Sequence, residues 1–158
     1  MGLIYGAYYY GLPEDQKEAL EGVAQATVNR LFLLSDRIKN VAMTAPTFFG
    51  DADYKISQTD NELHYTDISA GWWAVIQIVH DRSGLRFRVF ARQGEMPSPL
   101  PTWKQLEEEF LYGRADLYLD VLRSEDGSWY GPLHLINYQH PLLLNLQNAV
   151  NEIEKGDT

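Results

Sequence analysis

An α+β domain built on a mostly antiparallel sheet is the fold class this sequence predicts, and three observations predict it. Residues 13–39 carry apolar side chains at helical spacing over an unusual length. Residues 54–92 read as consecutive alternating runs divided by turn residues. Two shorter segments, 102–113 and 141–156, again read as helices. Strands that follow one another with few helices between them pair antiparallel, and we expect the long N-terminal, short middle and C-terminal helices to pack on one face. The chain has 158 residues and no internal repeat or low-complexity tract, so a single domain spanning residues 1–158 is expected.

The elements follow in order. LIYGAYYY, residues 3–10, is apolar or aromatic in both alternating sets, as in a strand covered on both sides. Pro13 suits a first helical position, and Glu14, Asp15 and Glu18 suit the positive end of a helix dipole. Leu20, Val23, Ala24, Thr27, Val28, Leu31, Leu34 and Ile38 keep helical spacing, with Arg37 and Lys39 in the last turn. Such a helix is about 40 Å long, and Leu34-Ser35-Asp36 is where it could break. Residues 40–53 read as a short extended piece and a loop. Asp60-Asn61 divides YKISQT from ELHYTDI as a hairpin turn.

Gly71 opens a strand through Asp81, and the turn Asp81-Arg82-Ser83-Gly84 leads into its partner, which runs through Arg92. GEMPSPLPT, with three prolines, is a loop, and Thr102 caps a helix through Trp103, Leu106 and Phe110 that stops at Gly113. Residues 114–123 fit helix and strand templates alike. The Asp126-Gly127 turn and the Trp129-Tyr130 pair favour a hairpin. The final stretch from Pro141 to Gly156 has apolar spacing at Leu143, Leu146, Val150 and Ile153.

The hairpin GWWAVIQIVHDRSGLRFRVFAR is the most unusual stretch. Strand parity puts Trp72, Ala74, Ile76 and Ile78 with Leu85, Phe87, Val89 and Ala91 on one face. Trp73, Val75 and Gln77 then share the other with Arg86, Arg88, Phe90 and Arg92. Counting Arg82, the hairpin holds four of the 13 basic residues of a chain whose formal net charge is -9. Arginine forks recognise carboxylates and phosphates and stack on indoles, and tryptophan and arginine are enriched at interface centres. A partner-binding surface is therefore expected at Trp73, Arg86, Arg88 and Arg92, extended by Trp129 and Tyr130. The bland alternative is an outer sheet face whose arginine heads meet acids such as Asp67 or Glu62 on a neighbouring strand.

Catalytic patterns are missing. The four histidines have no metal-ligand spacing, and no nucleophile elbow, phosphate loop or dinucleotide fingerprint occurs. No catalytic residue, metal or cofactor is called for. The chain has no cysteine, which removes thiolate chemistry and disulfides and fits the cytoplasm. Acidity disfavours nucleic acid and anionic membrane. No apolar run is long enough to span a bilayer, and the N-terminus lacks the basic start of a signal peptide. Glu107, Glu108 and Glu109 read as a solvated helix face, and Asp116 and Asp120 as a rim-exposed pair.

VAMTAP, Val41 to Pro46, resembles a motif of SOUL-type haem-binding domains; the chain after Pro46 departs from that family, so the resemblance adds no cofactor. The sequence thus reads as a non-catalytic interaction domain (an inhibitor, immunity-type protein or assembly subunit) with a protein partner and homo-oligomerisation left open. The alternative is a small-ligand binder or enzyme whose pocket is lined by Tyr8, Tyr10, His64 and His80, drawn from a chain with ten tyrosines.

Overall fold

The computed structural model describes residues 3–4, 11–44, 54–59, 62–67, 71–82 and 84–135, together with Leu142 and Gln147. The elements are β1 (Leu3–Ile4), α1 (Glu14–Thr44), β2 (Tyr54–Thr59), β3 (Glu62–Asp67), β4 (Trp72–Asp81), β5 (Gly84–Gln93), α2 (Trp103–Leu111), β6 (Leu117–Arg123) and β7 (Trp129–Leu135). The strands form one sheet in the order β1-β7-β6-β5-β4-β3-β2. β2 to β7 are antiparallel neighbours in chain order, and β1 joins the far edge parallel to β7. This is the predicted α+β architecture, and the segment that fitted both templates is strand β6.

Because β1 and β2 lie on opposite edges, α1 must carry the chain across the whole sheet. Seven strands are about 29 Å wide at about 4.8 Å each, and the 31 residues of α1 extend about 46 Å. The helix has length to spare and crosses from β7 towards β4. Near its start the Gln25 side chain serves both backbone groups of Trp129, donating to its carbonyl at 2.7 Å and accepting from its N–H at 2.8 Å. Near its end Lys39 Nζ donates to the Ile78 carbonyl at 3.2 Å.

Two features of α1 correct the sequence reading. The helix passes unbroken through Leu34-Ser35-Asp36, with Leu34 and Ser35 buried against the sheet. It also continues through residues 40–44, expected to be extended, because no glycine or proline interrupts the chain between Gly22 and Pro46. Its described residues run to Thr44, two positions ahead of Pro46.

The helices do not share one face, which is a further correction. Ala24, Val28, Leu31, Phe32, Leu34 and Ile38 of α1 pack on Trp72, Ala74, Ile76, Ile78, Phe87, Val89, Ala91, Leu119, Val121 and Trp129. α2 packs on the opposite face, where Leu106, Trp103 and Phe110 meet Trp73, Val75, Phe90 and Tyr118. The physical reason is space: the long helix occupies the first face, and the second still has apolar rings to cover. Of the expected C-terminal helix, Leu142 and Gln147 are helical and Leu142 is fully buried in the main core; its remaining residues lie outside the described ones.

Candidate functional site

The adjacent tryptophans of β4 serve one core each. Trp72 turns towards α1 and stacks on Tyr65, with centroids 5.3 Å apart and planes at 8°. Trp73 turns the other way and packs on Phe90 at 5.3 Å. Strand parity therefore divides β4 and β5 as their sequences require. Trp73 is nonetheless only 3% exposed, because α2 lies over it. Its ring is part of a core and is not displayed on an open sheet face.

The arginines face acids within the molecule. The register places Glu62, Gln77, Arg88 and Asp120 in one row across β3, β4, β5 and β6. Gln77 Nε2 donates to Glu62 Oε1 at 2.7 Å, and Arg88 donates to Gln77 Oε1 at 3.3 Å. Arg88 Nε lies 3.4 Å from Asp120 Oδ1. Arg86, one step along the same face, grips both Asp120 oxygens at 2.7 and 2.8 Å, the two-pronged geometry that suits a guanidinium. His64 Nε2 lies 3.0 Å from Glu62 Oε2 and extends the row. The two acids and two arginines of the row cancel in formal charge.

A stack of rings fixes α2 beside this row. Phe110 lies flat on Tyr118, with centroids 4.1 Å apart and planes at 3°. Trp103 lies 6.0 Å from Tyr118, and the Arg88 guanidinium sits 5.1 Å from the Trp103 centroid. Burial, together with the carboxylates of Asp120 and Glu107, pushes the Tyr118 phenol up from 10.0 to about 12.

On the other side of α2 a cleft of about 490 Å³ opens beside the proline-rich loop. Pro97, Pro99, Leu100 and Pro101 form one wall, α2 residues Gln105, Leu106, Glu108 and Glu109 the other, and Trp73, Phe90 and Arg92 also line it. The loop is held at both ends. The Gly94 N–H donates to the Gly71 carbonyl at 2.8 Å, where Gly94 adopts a φ of 116° that disfavours a side chain. Thr102 and Gln105 form a reciprocal cap on α2. At the rim Arg92 Nη1 donates to Glu109 Oε2 at 3.0 Å, with the two side chains 41% and 30% exposed, and Arg114 reaches the other Glu109 oxygen at 3.4 Å.

The expected site residues therefore separate. Arg92 reaches the cleft, while Arg86 and Arg88 belong to the row. Trp129, 1% exposed, is a core ring against Phe32 at 5.2 Å and Phe87 at 5.9 Å, a correction that arises because β7 turns it beneath α1. Tyr130 is half-buried on the other face, opposite Leu122. His64 and His80 do not converge: the register sets His64 beside Val75, so His80 lies on the opposite face and near the far end of β4. Tyr8 and Tyr10, and Pro46 of the VAMTAP string, lie outside the described residues. Among the described residues the acids that meet the arginines are Asp120 and Glu109. Asp116 accepts from the Gln93 N–H at 2.7 Å.

Asp120, Glu109 and the proline wall were the functional features missed from sequence. A signal existed for Asp120, a lone acid in the otherwise apolar run LYLDVL. It shares a face with Tyr118, and a charge half-buried in a sheet needs a partner on the next strand. Among the described residues no group of three His, Asp or Glu side chains is placed to hold a metal ion, and no helix is long and apolar enough to cross a membrane. Compared with protein families, with curated proteins and with solved structures, the chain matches none.

Proposed function

We propose that this chain is a non-catalytic interaction domain that holds a protein partner in the cleft between the proline-rich loop and α2. The observation that carries the proposal is the cleft itself: about 490 Å³, with an apolar wall and a partly exposed Arg92–Glu109 pair at the rim. Apolar walls supply affinity, and a few polar groups at the edge supply orientation. The proposal moves the contact surface away from Arg86 and Arg88, whose guanidinium groups already face Asp120. Of the tryptophan and arginine contacts expected from sequence, this surface retains Arg92 at its rim and the largely buried Trp73 in its lining. A cytoplasmic setting belongs to the proposal and is supported by the cysteine-free composition.

The volume of the cleft also suits a small ligand, and one experiment separates the two readings. Pro97 is exposed and lines the cleft, so Pro97→Asp places a charge on the wall without disturbing either core. The purified chain is used as bait beside this variant. Proteins captured by the first and lost by the second support the proposal. Capture that ignores the variant, combined with a thermal shift on adding a small molecule that the variant abolishes, would transfer the cleft to the ligand reading.

A further inference from the structure

We infer that the occupant of the cleft is a second copy of this chain, docked about a two-fold axis so that Tyr112 of each copy enters the cleft of the other; this rests on the cleft being the binding surface. Helical spacing carries the first part. Lys104, Glu108 and Leu111 recur at i, i+4 and i+7 and form an exposed stripe on the side of α2 away from the buried Leu106. Gln105 and Glu108 line the cleft, and Tyr112 continues their row at the end of the helix. Leu111 is 72% exposed and Tyr112 is 74% exposed, the two most exposed large hydrophobic side chains among the described residues. The Arg114 guanidinium sits 5.5 Å from the Tyr112 centroid and leaves most of the residue open. A proline-walled cleft and an aromatic knob therefore share one surface.

Charge carries the second part. Around α2, Arg92, Lys104 and Arg114 balance Glu107, Glu108 and Glu109, so this surface selects neither a basic nor an acidic partner. It is complementary to itself instead. Lys104 and Glu108 lie one turn apart, both exposed, and neither makes an ion pair among the described residues. A two-fold axis repeats every contact with the roles exchanged. With the two α2 helices antiparallel, a register that sets Lys104 against the second copy's Glu108 also sets Glu108 against its Lys104. Tyr112 stands four residues after Glu108, and Leu100 of the cleft wall stands four residues before Lys104. The same register therefore carries Tyr112 to the second copy's cleft wall. The net charge of -9 resides outside this balanced patch. Its repulsion is screened beyond about 8 Å at physiological salt.

The test is sedimentation equilibrium of the intact chain over a wide range of concentration. Wild type is compared with Tyr112→Ser, Pro97→Asp, Lys104→Glu and Glu108→Lys. All four positions are exposed, and the thermal midpoint of each variant is measured to establish that it is folded. Wild type should dimerise, and Tyr112→Ser and Pro97→Asp should each weaken the dimer about tenfold or more. Lys104→Glu alone and Glu108→Lys alone set like charges against each other and should also weaken it. Mixed together, these two variants should form a heterodimer, because each then meets the opposite charge at both contacts. A wild-type dimer that keeps its affinity in every variant would place the self-contact elsewhere and overturn the inference. Charge variants that weaken the dimer but fail to restore it when mixed would overturn the two-fold register. A wild-type chain that stays monomeric would overturn the second copy; capture of a different protein, lost in Pro97→Asp, would then leave the cleft standing as a binding surface. A monomer that captures nothing through Pro97 would overturn both readings.

Discussion

The two faces of one sheet are built on different physics. Under α1 the sheet presents a broad, continuous apolar surface, and a helix of 31 residues covers it with Phe32, Phe87 and Trp129 ring against ring. Under α2 a nine-residue helix covers a smaller set of rings, and the same face continues into a row of arginines, acids and a glutamine. The first face is suited to stability, because apolar burial scales with area and needs no partner geometry. The second combines a small core, internal ion pairs and an open cleft. Such a surface tolerates exchange of contacts more readily than a dry core does, and that is why the binding surface is proposed there.

Substitutions can break this contrast in order of size. Trp129→Ala removes a fully buried ring from the α1 face, and a loss of about 3–5 kcal/mol with global unfolding is expected in urea titration. Leu106→Ala, at the centre of the α2 face, should cost about 2–3 kcal/mol, the low end for such truncations because the adjoining cleft leaves room to relax. Hydrogen exchange separates the two outcomes: the Leu106 variant should lose protection in α2 first while α1 keeps its own. Equal loss in both helices would mean that the faces are not independent.

The smallest effect is on pH dependence. Native Tyr118 holds its proton up to about 12, against 10.0 for an unperturbed phenol. The folded state therefore binds that proton more tightly than the unfolded chain. Its contribution is complete below pH 10.0 and is lost as pH rises from there to about 12. Tyr118→Phe should remove this part of the alkaline decline and differ from wild type by a constant offset below pH 10.0. Wild-type and variant curves that stay parallel through the alkaline range would contradict the placement of the phenol.

Much of this arrangement was legible in the sequence, and its limits have physical causes. Side-chain period fixes which residues of a strand share a face, so the division of Trp72 from Trp73, and of Phe87 from Arg86 and Arg88, could be read directly. What parity does not report is what lies above each face. Trp73 and Arg92 look alike as outward residues, yet one is roofed by Leu106 and the other reaches the cleft rim. That outcome depends on where the loop from Gly94 to Thr102 sets α2 down. The identity of the arginines' acid depended on pairing between β5 and β6, which α2 separates in sequence. Nearby acids on β3 were therefore the natural local guess, and Asp120 was the actual partner.

The central claim is that Arg86 and Arg88 are structural and that partner binding lies at the cleft. The most direct test is urea unfolding of the double variant Arg86→Glu with Arg88→Glu, beside Arg82→Glu on the exposed turn. Facing two new carboxylates towards Asp120 should cost about 2 kcal/mol or more, discounted from a fully buried pair for the partial exposure of Arg86. The turn variant should stay within about 0.5 kcal/mol of wild type. A double variant as stable as wild type, and defective only in partner capture, would contradict the account and return the binding surface to the arginines.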